Sequence, residues 1–179
     1  ELLLHEAMRC RDILAQLAHK PEGGGPAGAP FPRPPLSVLL REIAARYARG
    51  SVVPQVTTAF ADDIDPPTMR SPEIIQAIGT LIENACQFAR ERVVVHAWSD
   101  VESVGVAISD DGPGFAPEIL GRLGEPYVST RRGEADHMGL GIFIASTLIS
   151  RSGGAVSCAN APDGGAEVTV VWPRAAFPG

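Results

Sequence analysis

The apolar positions along the chain follow two rhythms, and the switches between them mark out the elements. Residues 1–19 contain neither Gly nor Pro, and Leu3, Ala7, Cys10, Leu14 and Leu17 recur at alternating steps of four and three. That spacing is the seam of a coiled coil or helical bundle. From Leu36 to Arg49 a short helix is expected, with Leu36, Leu39, Leu40 and Ile43 on one face. "VVPQVTTAF" reads as a strand, placed at a sheet edge because Pro54 cannot donate to a ladder. Ser71, Pro72 and Glu73 form the cap and first turn of a second helix, whose apolar stripe is Ile74, Ile78, Leu81, Ile82 and Ala85. "RVVVHAWS" and "VGVAIS" alternate with period two and read as a hairpin. After an irregular region from Ala116 to His137, a helix is expected over Gly139–Ser150. "AVSCAN" and "AEVTVVW", joined by "APDGG", then form a last hairpin. Helices interspersed with mostly hairpin-linked strands predict an α+β fold: a two-layer sandwich whose single mixed sheet is covered by helices on one face.

Between the first helix and the rest, Pro21 to Pro35 is ten parts in fifteen Pro or Gly. Such a segment builds no core and reads as a linker. The expected organisation is a helix over 1–20, a linker over 21–35 and a globular domain over 36–175. Hydrophobic residues make up 45% of the 179, enough for a packed core in that domain. The formal charge is −6 and the isoelectric point about 5.2, which argues against a nucleic-acid partner, because a phosphate backbone selects a basic face. No apolar run approaches the roughly 18 residues of a membrane span. Cys10, Cys86 and Cys158 lie far apart without a C-x-x-C, which excludes a zinc knuckle and fits a reducing, cytosolic setting. The chain begins at Glu1 without Met and reads as an excised fragment.

Three stretches carry candidate chemistry. In "SDDGPGF", Asp110 continues the phase of Val104, Val106 and Ile108, so it should point under the helical layer at the strand's end. A carboxylate there needs a donor, and the exocyclic amine of a purine supplies one. Gly112 and Gly114 allow a sharp turn and close approach of a ligand; taken alone, the stretch reads equally as a strand-ending turn. On the preceding helix Thr80, Asn84 and Gln87 form a polar stripe, and an Asn carbonyl can ligate Mg²⁺ without adding charge. In "HMGLGIFIAS", Gly139, Leu140 and Gly141 open a helix whose first N–H groups suit phosphate oxygens. Cys10 sits in the seam, where a buried cysteine is usually a small apolar filler.

Asn on a helix, then D-x-G-x-G, then G-L-G opening another helix resembles the ATP-binding domain of sensor histidine kinases. It also resembles the wider superfamily of gyrase, mismatch-repair and heat-shock chaperone ATPases with the Bergerat fold. "GEPYVSTRRG" with "HMGLGIFIA" is most similar to the redox-responsive RegB/PrrB/ActS group. The resemblance implies that Asn84 chelates Mg²⁺ and that Asp110 reads the adenine amine of ATP. It implies Gly112 and Gly114 at the base of the purine pocket, and Phe88 and Tyr127 packed around the nucleotide. It also implies a lid over Ser129–Met138 with Arg131 near phosphates, and a phosphate-binding hinge at Gly139, Leu140 and Gly141. Gln87 stands at a nucleotide-contacting position where the kinases commonly carry Lys. Thr80 stands where they carry Asn and the hydrolysing relatives carry a water-activating Glu, so net hydrolysis is not expected.

By the same resemblance the first helix is the end of a dimerisation hairpin, making a homodimer. His5 is then a flank residue, and the phosphoacceptor histidine lies upstream. A response regulator would be the second partner, and any membrane attachment would come through upstream segments of an inner-membrane sensor. Cys10, in "RCRDIL", becomes a redox switch between paired helices, its thiolate favoured by Arg9 and Arg11.

Overall fold

The computed structural model describes residues 33–48, 50–68, 70–120 and 140–177. The expectations placed on Cys10, Tyr127, Arg131, Gly139, the first helix and most of the linker lie outside the described residues. The chain divides into two units, 1–30 and 31–179, and the description concerns the second.

That unit runs α1 (Leu36–Ala45), β1 (Gln55–Phe60), α2 (Pro72–Phe88), β2 (Val93–Ser99), β3 (Ser103–Asp110), α3 (Pro117–Leu120), α4 (Leu140–Arg151), β4 (Ala155–Asn160) and β5 (Ala166–Pro173). One sheet orders its strands β1-β2-β3-β5-β4. β1 and β2 are parallel and the other neighbours antiparallel. Parallel neighbours need a long crossover, and α2 provides it. β1 is the expected edge strand, but it starts at Gln55, leaving Pro54 just outside the ladder. α1 ends at Ala45 rather than the expected Arg49. α3 occupies four residues of the region expected to be irregular.

Alternation decides which face is covered. Val93, Val95 and Ala97 of β2, Val104, Val106 and Ile108 of β3, and Val168, Val170 and Trp172 of β5 all face one layer and are buried. Leu39, Leu40 and Ile43 of α1, Ile78, Leu81 and Ile82 of α2, and Ala145, Leu148 and Ile149 of α4 close over them in a single core. The residues between, such as His96 and Trp98, take the open face. Trp98 pairs with Gly105 and its indole fills the space a Cβ would need there. Trp172 instead lies in the core, its Nε1 donating to Ser152 Oγ at 2.9 Å. The start of α2 follows the cap signal: Ser71 Oγ accepts the Ile74 N–H at 3.4 Å and donates to Glu73 Oε2 at 2.6 Å. No described helix is long and apolar enough to cross a membrane.

Ile82 is fully buried where α2 meets the sheet. Ile82→Ala should cost about 2–5 kcal/mol through lost transfer energy and a residual cavity, read as a lower urea midpoint at unchanged slope.

Candidate nucleotide site

The site forms where β3 ends beneath α2. Asp110 holds the phase of Val104, Val106 and Ile108, and its carboxylate is therefore carried to the helix side. Its Oδ1 accepts the N–H of Gly112 at 2.8 Å and, more weakly, that of Ala166 at 3.4 Å. Burial pushes the carboxyl pKa up, and these two hydrogen bonds oppose the shift. Asn84, Phe88 and Leu81 of α2 join Asp110, Gly114, Phe115 and Ile142 around a cavity of about 50 Å³. A wider depression lined by Phe60, Asp63 and Ser99 lies at the other end of β1 and β2, across the sheet's length from Asp110.

The turn after Asp110 needs its glycines for separate reasons. A Cβ on Gly112 would stand 2.8 Å from Asp110 Oδ1 and against the Phe88 carbonyl. Gly114 has φ +77°, left-handed backbone that a side chain disfavours. Asp111 points the opposite way and is partly exposed. Its Oδ1 accepts three backbone N–H groups, from Arg90 at 2.8 Å and from Glu91 and Arg92 at 3.1 Å. These bonds, Arg92's first, hold its carboxyl below the usual range. Asp111 thus ties the end of α2 to the end of β3, fixing Asn84 and Phe88 relative to Asp110.

α4 completes the arrangement. A Cβ on Gly141 would lie 3.2 Å from Asn84 Nδ2 and 3.3 Å from Thr80 Cγ2, so the first turn of α4 sits against that flank of α2. Leu140 is the first residue of α4. Gln87 is not among the residues enclosing the cavity, although its Oε1 is buried without a hydrogen-bond partner. Thr80 Oγ1 accepts from Gln76 Nε2 at 3.4 Å. The Tyr47 ring lies against Gly79, one turn before Glu83, and after burial the charge of Glu83 is the main cause of the raised Tyr47 phenol pKa. Among the described residues no three acidic, His or Cys side chains converge on a metal position. The Asn84 side-chain amide, beside the first turn of α4, is a neutral oxygen donor of the kind that could hold a cation shared with phosphate and water.

The structure brings Asn84, Phe88, Asp110, Gly112, Gly114 and Gly141 together, as the sequence suggested. Sequence reasoning missed Phe115, Ile142, Asp111 and Asn160. Phe115 was recoverable as the apolar residue directly after D-x-G-x-G. Cys158 is partly buried against the core, and burial pushes its thiol up to about 11.

Residues 69–176 match the family described as histidine kinase-, DNA gyrase B-, and HSP90-like ATPase. The chain belongs to that family. It is 36% identical to the sensor histidine kinase RegB of Cereibacter sphaeroides, over 97% of this chain and 41% of that protein. It thus spans about two fifths of that relative's length. The catalytic domain of histidine kinase ThkA superposes with a TM-score of 0.64 at 20% identity, covering 82% of this chain and 97% of that one. Full-length ShkA in complex with AMPPNP gives a TM-score of 0.59 at 25% identity, over 82% of this chain and 32% of that one. The two-layer sandwich is the fold of these histidine kinase catalytic domains.

If Asp111 pins the end of α2, Asp111→Ala should speed amide hydrogen exchange at Arg90, Glu91 and Arg92. Asp111→Asn, which keeps an acceptor at Oδ1, should largely restore protection. Equal exchange in all three proteins would show that the tether carries no order.

Proposed function

We propose that the described unit is the ATP-binding catalytic domain of a two-component sensor histidine kinase. The observation that carries this reading is the Asp110 carboxylate, set by strand phase into a cavity whose other walls are Asn84, Phe88 and a glycine turn. ATP is supported by the family, and by the AMPPNP bound in the similar ShkA structure. In this reading Asp110 accepts from the adenine amine, and Phe88 with Phe115 packs on the base. Asn84 and the first turn of α4 face the phosphates. Mg²⁺ held at Asn84 would neutralise phosphate charge; the domain's own contribution is positioning.

The γ-phosphoryl group would pass to a histidine on an upstream helix and then to an aspartate of a response regulator. Thr80 offers no carboxylate to activate water, which favours transfer over hydrolysis. Release of label from γ-labelled ATP as free phosphate would instead favour a hydrolysing ATPase. The remaining organisation we propose is a dimerisation helix over 1–20, a linker over 21–35 and the ATP domain over 36–175. The similarity to RegB supports a homodimer on the cytoplasmic side of an inner-membrane sensor, with Cys10 as a redox switch.

Four measurements test the reading. Asp110→Asn should weaken binding of an ATP analogue by about 1.5–3 kcal/mol in calorimetry. Because burial raises the Asp110 pKa, protonation on acidification begins above the roughly 3.9 of a free Asp. Parent affinity should therefore fall from that higher pH downward, and Asp110→Asn should lack the step. Asn84→Ala should remove the Mg²⁺ dependence of nucleotide affinity while leaving the fold intact. Mild oxidation should give a covalent dimer on non-reducing electrophoresis that Cys10→Ala abolishes; a dimer persisting in that variant would reject the switch.

A further inference from the structure

Asn160 is the last residue of β4 and belongs to none of the motifs that mark the site. Its side chain nevertheless makes both hydrogen bonds available to one peptide-bearing residue 45 positions away. The Phe115 N–H donates to Asn160 Oδ1 at 2.7 Å, and Asn160 Nδ2 donates to the Phe115 carbonyl at 2.9 Å. A backbone N–H only donates and a carbonyl only accepts, so the pair fixes the orientation of the carboxamide. The arrangement copies a strand ladder: the amide side chain continues β4 by one rung and takes the nucleotide loop as its neighbour.

Gly114 makes this approach possible. A Cβ there would stand 2.8 Å from Asn160 Oδ1 and 3.1 Å from the Gly165 carbonyl oxygen. The second glycine of D-x-G-x-G therefore leaves room for Asn160 as well as permitting the turn. Gly114 and Phe115 line the cavity together with Asp110, so the clamp acts on the wall that would meet the base. Asp111 secures the other end of the same turn, so the loop is tied at both ends.

We propose that Asn160 is a positioning residue for the nucleotide pocket, holding Phe115 and Gly114 in place without touching the ligand. The inference rests on the nucleotide reading of this cavity. Asn160 is exposed, so losing its bonds should change global stability little. The loss should appear instead as looser binding of the base half of the nucleotide.

The test uses the 179-residue chain and a fluorescent ATP analogue, with adenosine and inorganic triphosphate as competitors. Asn160→Ala should weaken adenosine about three- to tenfold, the equivalent of one or two modest hydrogen bonds. Triphosphate affinity and the thermal midpoint should stay at parent values. Asn160→Asp keeps the acceptor but turns a carboxylate oxygen toward the Phe115 carbonyl, and should bind adenosine no better than Asn160→Ala. Parent-like adenosine binding in either variant would overturn the inference alone, as would equal loss of adenosine and triphosphate. A parent chain that does not bind the fluorescent analogue would overturn the nucleotide reading and this inference with it.

Discussion

β3 is hydrogen-bonded to β2 on one side and β5 on the other, and its period of two leaves Asp110 no choice of face. Once Val104, Val106 and Ile108 are committed to the core, the carboxylate at the strand's end follows them under α2. Shifting the pairing by one residue would turn Gly105 and Ala107 toward the helices and send Asp110 to the open side. Core formation and the placing of the key acceptor are thus one event. The desolvation this imposes on Asp110 is eased by two backbone N–H groups from separate segments, Gly112 and Ala166. Folding of the turn and of the β4–β5 hairpin is thereby coupled to the charge.

What was legible in the sequence followed from periodicity. The strand phases, the helix stripe from Ile74 to Ala85 and the Ser71 cap each rest on neighbours three or fewer turns away. They predicted the elements, the covered face and the direction of Asp110. Their ends were less legible, because α1 stops at Ala45 without a glycine or proline to mark it. Most opaque were the partnerships between distant segments. Asp111 and Asn160 are unremarkable in their local strings, and only the folded chain shows what each binds. Gln87 displays the reverse case: its spacing placed it with Asn84, yet the folded helix keeps it outside the cavity wall.

Adjacent acids in one turn have thereby been given opposite electrostatic settings. Burial pushes the Asp110 carboxyl up, whereas three amide donors hold that of the partly exposed Asp111 down. The difference comes from strand alternation, since consecutive side chains leave on opposite faces. One residue is set to meet a ligand and the other to fasten the backbone that presents it. Glu83 and Thr80 show a related division on α2, where Thr80 lies with Asn84 against the first turn of α4 while the charge of Glu83 acts on Tyr47.

The chain's two tryptophans fall on opposite sides of the sheet: Trp172 in the core, bonded to Ser152, and Trp98 across Gly105 on the open face. Their emission is therefore divided by environment, with a dry, blue-shifted contribution from one and a partly hydrated contribution from the other. Quenchers dissolved in water reach Trp98 first. The domain in this way carries two native optical labels, one reporting the integrity of the packed layer and the other reporting whatever approaches the uncovered strands.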